Sequence, residues 1–205
     1  MASNSQTLTG SDMFSLPDWA FYPIAAAACA AMIGGALSFG ESTHRAPEQI
    51  RAEGLTYEGD LLYGLTTANG LTAEFLSEGE TQFMRIRAER GPLDGMHSAG
   101  AFFALSPSEL SALQGHRVRI TIRARQSSIQ PAEGLRVSFF VPGVGQDSWQ
   151  RMPLSDTYQD IVFDAVPVSC EWTFGFVGLW PDWAFEADTV EIERVDLTAL
   201  EPLDC

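Results

Sequence analysis

His116–Arg125, HRVRITIRAR, alternates apolar and charged residues with a period of two. That period belongs to a β-strand with one buried face and excludes an amphipathic helix, which repeats every 3.6 residues. Val118, Ile120 and Ile122 turn to one side, and Arg117, Arg119 and Arg123 to the other. The same reading extends outward along the chain. QFMRIRA (82–88), LRVSFFV (135–141), QDIVFDAV (159–166), TFGFVGLW (173–180) and TVEIERVDL (189–197) alternate or run apolar over strand lengths, separated by Gly, Pro, Asp and Ser clusters. The pattern predicts a mainly β domain folded as a two-sheet antiparallel sandwich. One helical insertion interrupts it, LSPSELSALQG (105–115). There Ser106 caps the first turn, Pro107 fits the first helical position, Glu109 completes a capping box and Gly115 ends the helix.

The outward arginines admit two readings. Together with Arg85, Arg87 and Arg136 they could form a basic face for phosphate or an anionic glycan, or they could pair with carboxylates on neighbouring strands, with Glu191 and Glu193 as ready partners. Charge distribution bears on the choice. Residues 1–80 carry 10 acids against 2 arginines, 81–151 carry 5 against 9, and 152–205 carry 12 against 1, so a basic middle lies between acidic ends. Such segments are expected to pair across strands. All 12 basic residues are arginine, and the net charge of −15 excludes a nucleic-acid partner, because phosphate binding needs a basic surface.

Upstream the composition changes. Between Asp18 and Glu41 no residue is charged, and Trp19–Gly40 is long enough, at about 1.5 Å per residue, to cross a hydrocarbon core of about 30 Å. The expectation is a tail (1–17), a transmembrane helix (18–40) and a polar tether (41–54) ahead of the domain (55–199), with a short tail (200–205) behind it. Asp18 would cap the helix, and Trp19 and Tyr22 would sit at the headgroups. Ala27, Ala31 and Gly35 recur every four residues, which lines one face for a partner helix or reflects alanine-rich composition. Residues 1–17 lack the basic start of a signal peptide. Arg45 and Arg51 favour a cytoplasmic domain by the positive-inside rule, whereas the β-rich domain favours the periplasmic or extracytoplasmic side, which is the expectation adopted. The pentapeptide PDWAF at 17–21 recurs at 181–185 with unrelated flanks, so it is no structural repeat.

Four features in order, FMRIRA, the short helix and glycine ahead of the long HRVRITIRAR strand, DSWQRMPLSDTYQDIVFDA (147–165) and the closing DTVEIERVDLTAL (188–200), resemble the galactose-binding-like β-jelly roll found in many carbohydrate-binding modules. The resemblance covers about residues 55–199 and implies a jelly-roll sandwich. It also implies a structural calcium near the closing strand, for which Glu58, Asp60, Glu193 and Asp196 are the oxygen ligands to consider. In this chain the closing acidic pair is split by Arg194 and Val195.

Sugars are held by flat aromatic faces and planar polar groups. Trp149, Tyr158, Trp180, Asp182 and Trp183 lie in or beside loops of the second half and are the candidate ligand-binding residues, although tryptophans of a sandwich also serve as core. Nothing supports catalysis: His44, His97 and His116 form no metal spacing, and there is no G-x-S-x-G or phosphate loop. No cofactor is expected beyond that calcium. Cys29 lies in the apolar run, which leaves Cys170 and Cys205 as candidates for a disulfide. The sequence therefore predicts a non-catalytic, membrane-anchored module that engages a polysaccharide or envelope glycan. The alternative is an accessory subunit of a membrane complex, packed through the small-residue helix face.

Overall fold

The inward stripe of HRVRITIRAR forms the middle of a hydrophobic core: Val118, Ile120, Ile122 and Ala124 are fully buried. The computed structural model describes residues 45–91, 100–143, 148–182 and 188–204, together with Tyr22, Ala25, Ala26, Ala28, Cys29 and Met32. The chain divides into two units, Met1–His44 and Arg45–Cys205. In the first, the six described residues are helical. Ala27, Ala31 and Gly35 lie outside the described residues, as does most of the 18–40 span. Among the described residues no helix is long and apolar enough to cross a membrane.

In the second unit, chain order is α1 (Pro47–Glu53), β1 (Leu55–Glu58), a 3₁₀ turn (Gly59–Gly64), β2 (Thr66–Thr67), β3 (Leu71–Glu78), β4 (Thr81–Ala88) and β5 (Ala101–Ala104). There follow α2 (Pro107–Leu113), β6 (His116–Gln126), β7 (Gly134–Phe140), β8 (Gln150–Pro153), β9 (Gln159–Ala165), β10 (Phe176–Pro181) and β11 (Thr189–Pro202). The larger sheet has the order β3-β4-β11-β6-β9, with β1 also beside β11. The smaller has the order β10-β7-β8, and Gly100 bridges Leu179 to bring the β2-β5 pair alongside β10. From β4 onward the chain passes from one sheet to the other at almost every connection. Only β7 and β8 are consecutive within a sheet, which is the winding of a jelly-roll sandwich.

Ile86, Ile120, Ile122, Ile192, Val195 and Leu197 from the large sheet meet Leu135, Val137, Val177 and Leu179 from the small one, all at most 1% exposed. Each such side chain contributes about 1.5–3 kcal/mol by leaving water.

The unit begins earlier and ends later than the 55–199 expected. Pro47–Glu53, placed in a polar tether with room for a helical turn, is a helix whose one large apolar residue, Ile50, is 2% exposed in the core. Arg51 reaches the carbonyl oxygens of Ala112 and Ser111 at the end of α2, at 3.1 and 3.2 Å, which ties the two helices together. At the other end β11 continues to Pro202 opposite His116. The capping box of α2 forms as expected, with Ser106 accepting from the Glu109 amide.

The arginine ladder takes the paired alternative. Arg119 makes two 2.8 Å bonds to Asp164, directly opposite on β9, and Arg123 binds Glu193 at 2.8 Å. At the top of the ladder, Arg85 and Arg125 converge from β4 and β6 on Glu191 of β11, which accepts at 2.7 Å from each and at 3.0 Å from the Ser127 hydroxyl. Glu191 is 1% exposed. Burial alone would raise its pKa; the hydrogen bonds from Arg85, Arg125 and Ser127 together outweigh burial and hold it below the usual carboxylate range.

β11 carries a bulge. Ile192 faces Ala124 and Arg194 faces Arg123, so Glu193 is the extra residue. The inward set therefore changes parity, from Val190 and Ile192 to Val195 and Leu197, and charged residues stay outside on both halves.

Glu191→Ala would leave two guanidiniums facing an uncharged floor, with an expected loss of about 3 kcal/mol in urea unfolding. Asp164→Asn, on the exposed part of the ladder, is expected to leave the midpoint almost unchanged. Because the folded-state pKa of Glu191 is depressed, its contribution is complete above the unfolded carboxylate value of about 4.3 and disappears as pH falls through the folded value. Between pH 6 and pH 3 the wild type should lose more stability than Glu191→Gln, as read by thermal unfolding at each pH.

Candidate functional site

The outer face of the small sheet is aromatic. Along β7 the alternation that sends Leu135, Val137 and Phe139 inward leaves Arg136, Ser138 and Phe140 outward, and on β10 their partners are Trp180, Gly178 and Phe176. Around these strands the rings form two groups, which meet where Phe176 pairs with Phe140 across the strands. Phe174 stacks on Phe176 at 5.5 Å, Phe176 meets Phe102 edge-on at 5.4 Å, Phe140 meets Trp149 edge-on at 5.3 Å, and Trp149 stands at 89° to Trp180 at 6.2 Å. Phe174 is 41% exposed. Phe102, Phe140, Phe176 and Trp149 are half-buried. Between the two ends lie two small buried residues, Ser138, whose hydroxyl is hydrogen-bonded to that of Ser148, and Gly178.

The sequence-derived candidates separate. Trp149, Trp180 and Asp182 lie together on this face. Trp180 is 2% exposed, and its indole N–H donates to the carbonyl oxygen of Arg90 at 3.1 Å. It is therefore a wall behind Trp149 and offers no open platform of its own. A β-carbon at Gly100, where φ is +73°, would lie 3.0 Å from the Trp180 ring and 2.4 Å from the Leu179 oxygen. The glycine lets β5 close against that wall.

Tyr158 belongs to the other sheet. Its ring lies under the Arg125 guanidinium, 4.4 Å from the centroid, and burial pushes its hydroxyl up to about 12 despite the opposing effect of Arg125. Trp183 lies outside the described residues.

The proposed calcium ligands do not gather. Glu193 is bound to Arg123, and Asp196 accepts from Arg194 at 2.7 Å and from the Thr56 hydroxyl at 2.7 Å. Glu58 is exposed opposite Arg194, and Asp60 is exposed in the 3₁₀ turn. Among the described residues no group of three or more His, Cys, Asp or Glu could hold a metal. Ion pairing is the physical reason for two of the four: Glu193 and Asp196 are already taken by the guanidiniums of Arg123 and Arg194. Of the three histidines only His116 is described, its Nδ1 3.0 Å from the Gln114 carbonyl oxygen.

Sequence reasoning did not single out Phe140, Phe174, Phe176 or Arg151. A signal existed for the first: LRVSFFV has apolar residues at both parities near its end, so one phenylalanine had to point outward. Arg136, grouped with Arg85 and Arg87 in the sequence, is on the opposite sheet.

No protein-family model and no curated protein matches the chain. Among solved structures it is similar to the CBM22-1 xylan-binding domain of Paenibacillus barcinonensis Xyn10C, at 10% identity over 73% of this chain and 95% of that one, with a TM-score of 0.49. It is also similar to the C-terminal family 22 carbohydrate binding module of Clostridium thermocellum Xyn10B, at 14% identity over 78% and 99%, with a TM-score of 0.44. A third is the module CBM6cm-2 from Cellvibrio mixtus lichenase 5A in complex with cellotriose, at 11% identity over 72% and 98%, with a TM-score of 0.41. These neighbours are carbohydrate-binding modules. At such identities and TM-scores the likeness transfers no residue of their sites.

The two tryptophans should respond differently to truncation. Trp180→Ala is expected to cost about 3–5 kcal/mol in urea unfolding followed by circular dichroism, the magnitude of a large core deletion. Trp149→Ala, at a half-buried position, should cost about 1 kcal/mol.

Proposed function

We propose that the domain is a non-catalytic module that binds a polysaccharide on the outer face of β10-β7-β8. The observation that carries this reading is the row of partly exposed rings from Phe174 through Phe176 and Phe140 to Trp149, ending at the guanidiniums of Arg136 and Arg151 and the carboxylate of Asp182. A sugar ring presents an apolar C–H face to an aromatic ring and a rim of hydroxyls to planar hydrogen-bonding groups. A ledge of aromatic rings with a polar end supplies both. The outer face of the large sheet does not, since its arginines are matched with carboxylates.

The function needs no group to change its protonation state, and the geometry is that of recognition: rings at fixed separation along strands, which a linear chain of sugars can follow. The membrane span expected from residues 18–40 would hold such a module at a surface, and the extracytoplasmic side is the proposed location. Cys170 supports it: this cysteine is disulfide-bonded and Cys29 is free, and stable disulfides form in oxidising compartments.

Titration of the full chain against soluble xylan, mixed-linkage β-glucan and mannan, by calorimetry or affinity electrophoresis, is expected to give saturable binding with at least one. Trp149→Ala should weaken it about ten-fold, and Phe174→Ala should weaken it less. A flat response to all three and to acidic polysaccharides would overturn the reading. For the location, thiol labelling of the denatured, unreduced chain from its native source should modify one of the three cysteines. Labelling of all three would assign the protein to a reducing compartment.

A further inference from the structure

At one end of the aromatic ledge a row of three side chains crosses the sheet: Trp180 on β10 pairs with Arg136 on β7, which pairs with Arg151 on β8. Behind the two arginines lies one carboxylate. Asp182 accepts from Arg136 Nε at 3.2 Å through Oδ1 and from Arg151 Nε through Oδ2. Its side chain is 18% exposed, whereas those of Arg136 and Arg151 are 41% and 46% exposed. Each arginine thus commits its inner nitrogen to Asp182. Among the described residues neither terminal nitrogen of Arg136 has a partner, and Arg151 has beyond Asp182 only Glu133, 3.7 Å away with a side chain 85% exposed. A contact of that kind adds little in water.

Two fixed positive charges over one recessed negative charge make a locally cationic spot in a chain of net charge −15. The ladder on the other sheet gives the contrast: Arg119 has two nitrogens on Asp164, and Arg125 is divided between Glu191 and Glu78. Among the described residues, the pair beside the aromatic ledge brings spare, forked donors from two arginines next to an adjoining ring. Trp149 precedes Arg151 by two residues, about 7 Å along an extended chain, and stands edge-on to Trp180 in the same row.

We propose that Arg136 and Arg151 form a subsite for the carboxylate of an acidic sugar, a uronate unit whose ring rests on Trp149. The inference rests on the reading of this face as a glycan site and names the class of glycan. A carboxylate matches the planar fork of a guanidinium with two parallel hydrogen bonds, which a neutral hydroxymethyl group cannot reproduce. Asp182 holds both forks in position and itself repels the incoming charge only weakly, because its own charge is already neutralised by the pair.

The test compares a glucuronate-bearing xylan with the same polymer after its carboxylates have been reduced to primary alcohols, each titrated against the full chain. The native polymer is expected to bind about ten-fold more tightly, and that margin should shrink as NaCl is raised. Arg136→Gln and Arg151→Gln should each lower affinity for the native polymer more than affinity for the reduced one, so that the margin shrinks. Equal affinity for the two polymers at low salt, or a margin insensitive to salt, overturns the uronate subsite and leaves the glycan reading standing. Binding to neither polymer nor to the neutral glycans overturns both. If either variant fails to fold, as judged by its thermal transition, the salt dependence of the wild type decides the question.

Discussion

A single carboxylate in the wrong medium organises the large sheet. Glu191 lies in β11, the strand that touches β1, β4 and β6, and it is removed from water almost completely. A carboxylate so placed is tolerable only if charge and hydrogen bonds surround it, and Arg85, Arg125 and Ser127 do so from both neighbouring strands. A shift of one residue in the pairing of β4 or β6 with β11 would move those arginines to the core side. The ion pair thereby works with the alternation of apolar residues in fixing the register of three strands.

That arrangement divides the labour between the faces. On the large sheet arginines and acids are matched across strands. Phe83 is buried there beneath Arg85 and Arg125, and Tyr158 beneath Arg125. On the small sheet the outward positions of β7 and β10 hold Phe140, Phe176, Ser138 and Gly178, and charge enters only at one end, with Arg136 beside Trp180. The proposed recognition face is therefore the one whose rings are not covered by arginines.

Much of this was legible. HRVRITIRAR disclosed the strand and its inward residues, and left pairing with an acidic neighbour as one of two readings for its arginines. SPSE gave the helix α2 and its cap. What could not be read depends on contacts distant in sequence. Ile50 is one apolar residue in a polar stretch, and only the proximity of α2 and β11 makes it core. Trp149 and Trp180 are both tryptophans beside turns; that one forms the wall and the other the ledge follows from the Arg90 carbonyl and Gly100, 90 and 80 residues away from Trp180. Tyr158 and Trp149 are nine residues apart and on different sheets, because the chain changes sheets between β8 and β9. The split of the closing acidic pair by Arg194 and Val195 was visible as a departure, and its meaning was not, since a bulge is recognised by the step of three between Ile192 and Val195.

That step has a consequence for how the gene could change. A strand buried on one side behaves as a binary code, each residue in or out, and the extra residue at 193 is a phase inversion written into it. Removing codon 193 alone would leave Ile192, Val195 and Leu197 on one side in unbroken alternation, so the strand could close without its extra residue. Removing codons 193 and 194 together would turn Asp196 and Thr198 toward the hydrocarbon interior and Val195 and Leu197 toward solvent. At this point the closing segment therefore tolerates an odd loss and not an even one, a rule of arithmetic imposed by the pleat.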